Sequence, residues 1–172
     1  QHYPDIVIVG NKQTFGMIEG FYGVTGEQYL VKEGDFLALG HHKLRFYMTP
    51  MVHWPETMMT FDETDGVLFS GDGFGCFGTV DGGFLDTRIN VDKYWGEMVR
   101  YYSNIVGKYG SPVQKALQKL GGLPISAICS THGPVWTENI AKVIGIYDRL
   151  SRYDADEGVV IAYGSMYGNT EQ

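Results

Sequence analysis

The chain has 172 residues, 44% of them apolar, enough for one sizeable core. A net charge of −7 argues against nucleic acid as a main partner, because neutralising phosphates takes clustered Lys and Arg. Cys76 and Cys129 form neither a disulfide framework nor a CxxC pair, no apolar run reaches membrane-span length, and QHYPDIVIVG lacks the basic start of a signal peptide. A cytoplasmic protein with no membrane partner is the expectation.

In chain order, the first third reads as β-rich. Asp5–Val9 is a buried-type strand, and Gln28–Val31 and Phe36–Leu39 flank Lys32–Asp35 as a hairpin. Lys43–Met48 alternates, with Leu44, Phe46 and Met48 on one face. Thr57–Phe61 and Val67–Ser70 form a second hairpin across Asp65-Gly66. Helices follow. Asp92–Gly107 places Trp95, Met98, Val99, Tyr102, Ile105 and Val106 on one face. Ser111-Pro112-Val113-Gln114 reads as a capping box opening a helix that stops at Gly121-Gly122. Ile125–Cys129 is a strand and Thr137–Leu150 a third amphipathic helix. This order fits a sheet-on-sheet core flanked by helices, with a three-layer α/β sheet as the other solution.

The polar stretch Ser151–Gly158 reads as a linker. Beyond it, Val159–Tyr163 is strand-like, Gly164–Asn169 a tight polar turn, and Thr170-Glu171 a helix start. That succession can cradle a phosphate, since backbone N–H groups converge at a helix's positive end. A doubly wound nucleotide-binding fold needs further strands after it. The chain is therefore expected to be a piece of a larger protein.

Three candidate metal ligands share one kind of position. His53, Asp72 and His132 each follow the C-terminal end of a strand, flanked by Gly or Pro in Trp54-Pro55, Gly71-Asp72-Gly73 and His132-Gly133-Pro134. Loops on a rigid scaffold are where ligands are presented, and imidazole with carboxylate suits iron, zinc or manganese. Singly, each is an ordinary turn residue; the conjunction carries the reading. His41-His42 reads as a chain reversal, His2 as a terminal residue, and Cys76 as a small buried thiol that could line the pocket. The Gly-rich stretch Gly71–Gly83 suits close backbone approach.

The strings PMVHWPET (Pro50–Thr57), LFSGDGFGCFG (Leu68–Gly78), RYYSNIVGKYGSPVQKALQKL (Arg100–Leu120), STHGPVW (Ser130–Trp136) and YGSMYGNTE (Tyr163–Glu171) occur in this order. Together they resemble the flavodiiron proteins, over roughly four fifths of the chain. The resemblance implies a metallo-β-lactamase-like αββα sandwich of α/β class over residues 1–150. A linker at 151–158 and the start of a flavodoxin-like FMN domain at 159–172 would follow. It implies that His53 ligates one iron, His132 the other, and that Asp72 bridges both. Ser165, Met166, Tyr167, Gly168, Asn169 and Thr170 match the loop that holds the FMN phosphate, and Tyr101 or Tyr102 would reach the substrate pocket.

The activity implied is reduction of O₂ to water or of NO to N₂O at a non-haem diiron site. Electrons would come from FMN, fed by rubredoxin or a flavin reductase, in a head-to-tail homodimer. The family's upstream His-x-Glu-x-Asp-His segment has no counterpart here, so the metal domain is expected to be incomplete at its N-terminus. Three ligands alone would then hold metal sub-stoichiometrically. Two rival readings are a binuclear zinc hydrolase on the same sandwich, against which the His-Trp-Pro string argues, and a metal-free, non-catalytic fragment.

Overall fold

The computed structural model describes the whole chain except Gln1, His2, Pro4, Asp81 and Gln172; the reading of His2 lies outside the described residues. Five strands form the main sheet: β3 (Phe36–Leu39), β4 (His42–Met48), β5 (Met58–Asp62), β6 (Val67–Gly71) and β7 (Ala127–Ser130), side by side in that order. All pairs are antiparallel except β6 with β7, which is parallel. Phe61, Leu68 and Ile128 are cross-strand partners, so they share one face of the pleat. All three are buried, and with Met59 they meet the helices α2 (Asp92–Tyr101), α3 (Gly110–Leu120) and α4 (Ile140–Ser151). Tyr94, Met98 and Tyr101 from α2, Val113, Ala116 and Leu120 from α3, and Val143 and Tyr147 from α4 complete this core.

The opposite face of the sheet carries the partnered row Phe46, Thr60, Phe69 and Cys129. Phe46 is buried there, while Phe69 is half exposed. A second, two-stranded parallel sheet pairs β1 (Val7–Gly10) with β2 (Glu27–Leu30). The helix α1 (Lys12–Tyr22) connects them, as a parallel pair requires. No expected element covered α1, although its boundaries are written in the sequence. The Asn11 side chain accepts from the N–H groups of Gln13 and Thr14, and Gly23 closes the helix in the left-handed conformation.

Several expectations are corrected. The turn at Lys32–Asp35 exists, with the Lys32 N–H donating to the Asp35 carboxylate, yet its flanking strands do not pair. Gly34 N–H donates to the Phe46 carbonyl and Phe46 N–H to that of Asp35, which commits the chain after the turn to β4. His42 is not in the chain reversal; it opens β4, and only Gly40 and His41 turn. The helix expected over Asp92–Gly107 is α-helical only to Tyr101; Tyr102–Val106 widens into a π-turn and Gly107–Tyr109 tightens into a 3₁₀ turn.

The capping box does not form either. The helix begins at Gly110, one residue before Ser111, and Ser111 makes no cap bond. Gln114 reaches across to α4 instead, its Nε2 donating to Asp148 Oδ1 at 2.8 Å and to Ser151 Oγ at 2.7 Å. Finally, Val159–Tyr163 forms no strand: Val159, Val160 and Ile161 are among the most exposed apolar residues. A strand holds its shape through a hydrogen-bonded neighbour, and no described strand lies beside this one.

The row at the centre of the core sets a stability test. Leu68 is fully buried between Phe61 and Ile128, so Leu68→Ala is expected to cost about 3 kcal/mol in urea unfolding. Phe69→Ala, next door on the half-exposed face, is expected to cost less than half as much.

Candidate metal centre

The three candidate ligands sit at one end of the main sheet, where β4, β6 and β7 finish. His53 is carried by the loop after β4, which folds on itself through backbone bonds. Thr49 N–H donates to the Thr57 carbonyl, and Met51 N–H to that of Trp54 at 2.8 Å. The Thr57 hydroxyl accepts from Trp54 N–H and donates to the Trp54 carbonyl. Met51 adopts a left-handed φ of 66°, a conformation that costs a non-glycine residue about 1–2 kcal/mol. Phe74, two residues after Asp72, does the same at 65°. Such residues persist where surrounding contacts over-determine them, and they gather at functional loops.

Asp72 follows a register shift at the end of β6, between Phe69 and Gly71. This irregularity places Ser70 in the interior, its hydroxyl donating to the Gly73 carbonyl at 2.7 Å, and turns the next side chains out of the ladder. His132 follows β7, and its loop is tied directly to that of Asp72. Thr131 N–H donates to the Gly71 carbonyl, Cys76 N–H to that of His132, and the Thr131 hydroxyl to Asp72 Oδ1 at 2.9 Å. Gly133 lies so close to Cys76 that a Cβ there would fall 2.4 Å from the sulfur.

The result is a carboxylate shared between two imidazoles. His53 Nε2 stands 3.1 Å from Asp72 Oδ2, and His132 Nε2 stands 3.4 Å from Asp72 Oδ1. Two ligand atoms bound at about 2.0–2.1 Å to one ion lie roughly 3 Å apart, so each imidazole–oxygen pair has the spacing of two ligands on one metal. Among the described residues, only His42, Asp62 and Asp65 bring three ligand atoms within 4.8 Å of one another. His53, Asp72 and His132 are therefore not crowded around a single ion. The donor set fits two divalent ions with Asp72 between them.

Tyr101 flanks this arrangement, its ring 5.5 Å from that of His132. Burial raises its phenol pKa well above the ordinary value, and the Asp72 charge adds to the shift, so it stands as a neutral O–H. Tyr102 faces elsewhere: it meets Tyr147 edge-on at 5.1 Å, and its buried hydroxyl has no hydrogen-bond partner among the described residues. Burial pushes its pKa up to about 12. Successive helical residues point about 100° apart, so only one of the two tyrosines can face His132, and that one is Tyr101. Of the two tyrosines named as candidates, it is Tyr101 and not Tyr102 that stands beside the candidate ligands.

Cys76 is buried, and its thiol is pushed up to about 12 by that burial, with Glu97 adding to it. It packs as a neutral thiol beneath Gly133, not as a thiolate ligand. A cleft beside the centre is lined by His53, Ser103, Asn104, Lys108 and Tyr109.

Asp86 is a residue the sequence reading missed. Its carboxylate is 2% exposed and accepts from the N–H groups of Thr137, Glu138 and Asn139, the Thr137 hydroxyl and the Asn139 amide. Backbone bonds between Asp86 and Val135, and between Val135 and Phe84, run alongside. Together they fasten the segment after His132 to the chain that continues from Asp72. An Asp 14 positions after a ligand carries no spacing signal of its own.

The expected flavin loop is not built as a cradle here. Ser165–Thr170 is largely exposed, and its one described side-chain bond is a long 3.5 Å contact from Thr170 N–H to Ser165 Oγ. The segment that would support it pairs with no described strand, so these residues as they stand do not form a flavin-phosphate site.

Comparison with known proteins places the chain. The model of the ODP family beta lactamase matches residues 2–133. The chain belongs to that family, and the relatives it resembles within the family are flavodiiron proteins. The anaerobic nitric oxide reductase flavorubredoxin of Shigella dysenteriae is 34% identical over 144 residues, covering 82% of this chain and 30% of that protein. A variant of the flavo di-iron protein from Thermotoga maritima superposes with a TM-score of 0.81 at 30% identity, over 90% of this chain and 38% of the other. Rubredoxin oxygen:oxidoreductase from Desulfovibrio gigas superposes with a TM-score of 0.80 at 26% identity, covering 85% and 37%. The chain thus spans about a third of the length of these relatives. The mixed α/β fold is the metallo-β-lactamase-like one expected.

Two outcomes follow from the stitching of these loops. Gly133→Ala forces a Cβ onto the Cys76 sulfur and is expected to destabilise the chain by about 2 kcal/mol or more; Gly133→Ala with Cys76→Ala should recover part of that loss. Asp86 has a second signature. Burial works to raise its pKa, but bonds from Thr137 and Asn139 outweigh burial and hold it below the ordinary carboxylate range. Its stabilising effect is then complete above the unfolded pKa of about 3.9 and fades as pH falls through the lower folded value. The stability gap between wild type and Asp86→Asn should be constant above about pH 5 and shrink below about pH 4.

Proposed function

We propose that this chain is part of a flavodiiron oxidoreductase that reduces nitric oxide or dioxygen at a non-haem diiron centre. The observation that carries this reading is the Asp72 carboxylate with a different imidazole at each oxygen. In it, His53 holds one iron, His132 the other, and Asp72 bridges them. Residues 1–150 form the C-terminal part of the metal domain, 151–158 the linker, and 159–172 the beginning of an FMN domain whose phosphate loop is Ser165–Thr170. A His-x-Glu-x-Asp-His segment like that of the flavodiiron proteins would supply the rest of the ligand set. In the intact protein the electron donor would be a rubredoxin or a flavin reductase, and the assembly a head-to-tail homodimer.

Bound iron supplies open coordination positions and the redox change. The chain's residues supply the rest. The two imidazoles ligate as neutral rings, and the Thr131 hydroxyl, donating to Asp72 Oδ1, fixes the rotation of the bridging carboxylate. The loops carrying Asp72 and His132 are braced by Cys76, Gly133 and Asp86, and that of His53 by its own Trp54–Thr57 bonds, so the side chains are held in place before metal arrives. Tyr101, neutral and leaning on His132, closes one side of the centre.

Against the zinc hydrolase stands Trp54, half exposed beside His53, where hydrolytic relatives carry a His-Thr-Pro-Gly string. The test uses the full-length protein. Asp72→Ala is expected to lower iron content from two per chain to one or fewer, and NO or O₂ consumption by about 100-fold or more. Retention of two irons and full turnover would overturn the ligand assignment, and stoichiometric zinc with esterase turnover would favour the hydrolase. With three of its ligands alone, the 172-residue chain is expected to hold fewer than two irons.

A further inference from the structure

We propose that His42, Asp62 and Asp65 form a second, surface-facing site for a divalent transition cation such as Co²⁺, Ni²⁺ or Zn²⁺. It is separate from the centre around Asp72 and independent of the oxidoreductase reading. His42 opens β4, Asp62 closes β5, and Asp65 lies in the turn before β6. The first centre sits where β4 and β6 end, so the two lie at opposite ends of the same strands. Seven residues of β4 span about 20 Å.

His42 Nδ1 is 2.7 Å from Asp62 Oδ2 and 3.7 Å from Asp65 Oδ2. One ligand atom from each of the three residues lies within 4.8 Å of the other two. An ordinary ion pair does not complete this arrangement. A ring nitrogen carries one proton, and the hydrogen bond to Asp62 uses it. The Asp65 oxygen, at 3.7 Å, is beyond hydrogen-bond length and faces a second carboxylate.

Two carboxylates against one imidazole leave excess negative charge even when the ring is protonated. A divalent ion that displaces the Nδ1 proton to solvent, the ring keeping its N–H at Nε2, and is bound by Nδ1 and one oxygen from each Asp removes that excess. The separations of 2.7 and 3.7 Å straddle the roughly 3 Å that ligands on a shared ion adopt. The donors are also oriented before binding. Asp62 is nearly buried, and its other oxygen, Oδ1, accepts from Thr64 N–H at 2.9 Å, which fixes the carboxylate with Oδ2 turned to the His42 ring nitrogen. A second imidazole, His41, stands beside the first with ring centres 5.6 Å apart, and the Thr64 hydroxyl donates to the His41 carbonyl. Nitrogen with carboxylate oxygen selects borderline divalent ions over Ca²⁺ or Mg²⁺, which take oxygen alone. Water completes the coordination on the exposed side.

Co²⁺ titration of the 172-residue chain followed by amide NMR tests this. The expected result is paramagnetic broadening of residues 40–44 and 62–66, reversed by added Zn²⁺. His42→Ala and, separately, the conservative exposed change Asp65→Asn should each weaken Co²⁺ at this end at least tenfold. Events at the Asp72 centre are read separately, about 20 Å away. If the wild-type chain shows no broadening at 62–66, the cluster is only a His42–Asp62 ion pair. If Asp65→Asn and His42→Ala both titrate as wild type does, the ion is held adventitiously. Either result overturns the proposal.

Discussion

One carboxylate held between two imidazoles organises this end of the molecule. Asp72 cannot face His53 and His132 at once unless three separate strand ends are brought to a common edge, and the sheet order does this. β4 and β6 each pair with β5, and β6 is joined in parallel to β7. The loops carrying His53, Asp72 and His132 therefore all leave the same edge of one sheet. Strand direction is the deciding constraint: β4, β6 and β7 run the same way, and β5 returns between the first two.

The remaining structure steadies that edge. The helices α2, α3 and α4 bury the Phe61–Leu68–Ile128 row behind it. Tyr101 at the end of α2 links the helix layer to His132, while Asp86 and the Cys76–Gly133 contact join the loops to each other. Two left-handed non-glycine residues, Met51 and Phe74, lie in those loops. That local cost is sustained by the dense hydrogen bonding around Trp54 and Thr57 and around Ser70 and Gly73.

How much of this could be read from the sequence depends on the range of the interaction. The hairpin at Asp65-Gly66, the alternation of β4, the stop at Gly121-Gly122 and the three ligand loops are local patterns, and each has its counterpart in the fold. The pairing of β2 is not legible locally because a turn does not dictate which strands pair; the bonds of Gly34 and Asp35 with Phe46 commit the chain after the turn to β4. Gln114 looked like a capping residue because Asp148 and Ser151, 34 and 37 positions on, are invisible to a local rule. The choice between Tyr101 and Tyr102 turns on helical phase next to a π-turn, and Asp86 gives no signal because all the partners of its carboxylate lie beyond position 136. Asn11 and Gly23 did mark the ends of α1, a local signal that was there to be used.

The central claim is that Asp72 is a bridge between two metals, each bound by a different histidine. Anomalous diffraction from crystals of the full-length protein loaded with iron tests it most directly. The account predicts two peaks, one bonded to His53 and Asp72 Oδ2 and the other to His132 and Asp72 Oδ1, at about 2.0–2.2 Å in each case. A single peak bonded to both imidazoles, or two peaks of which neither touches Asp72, would contradict it.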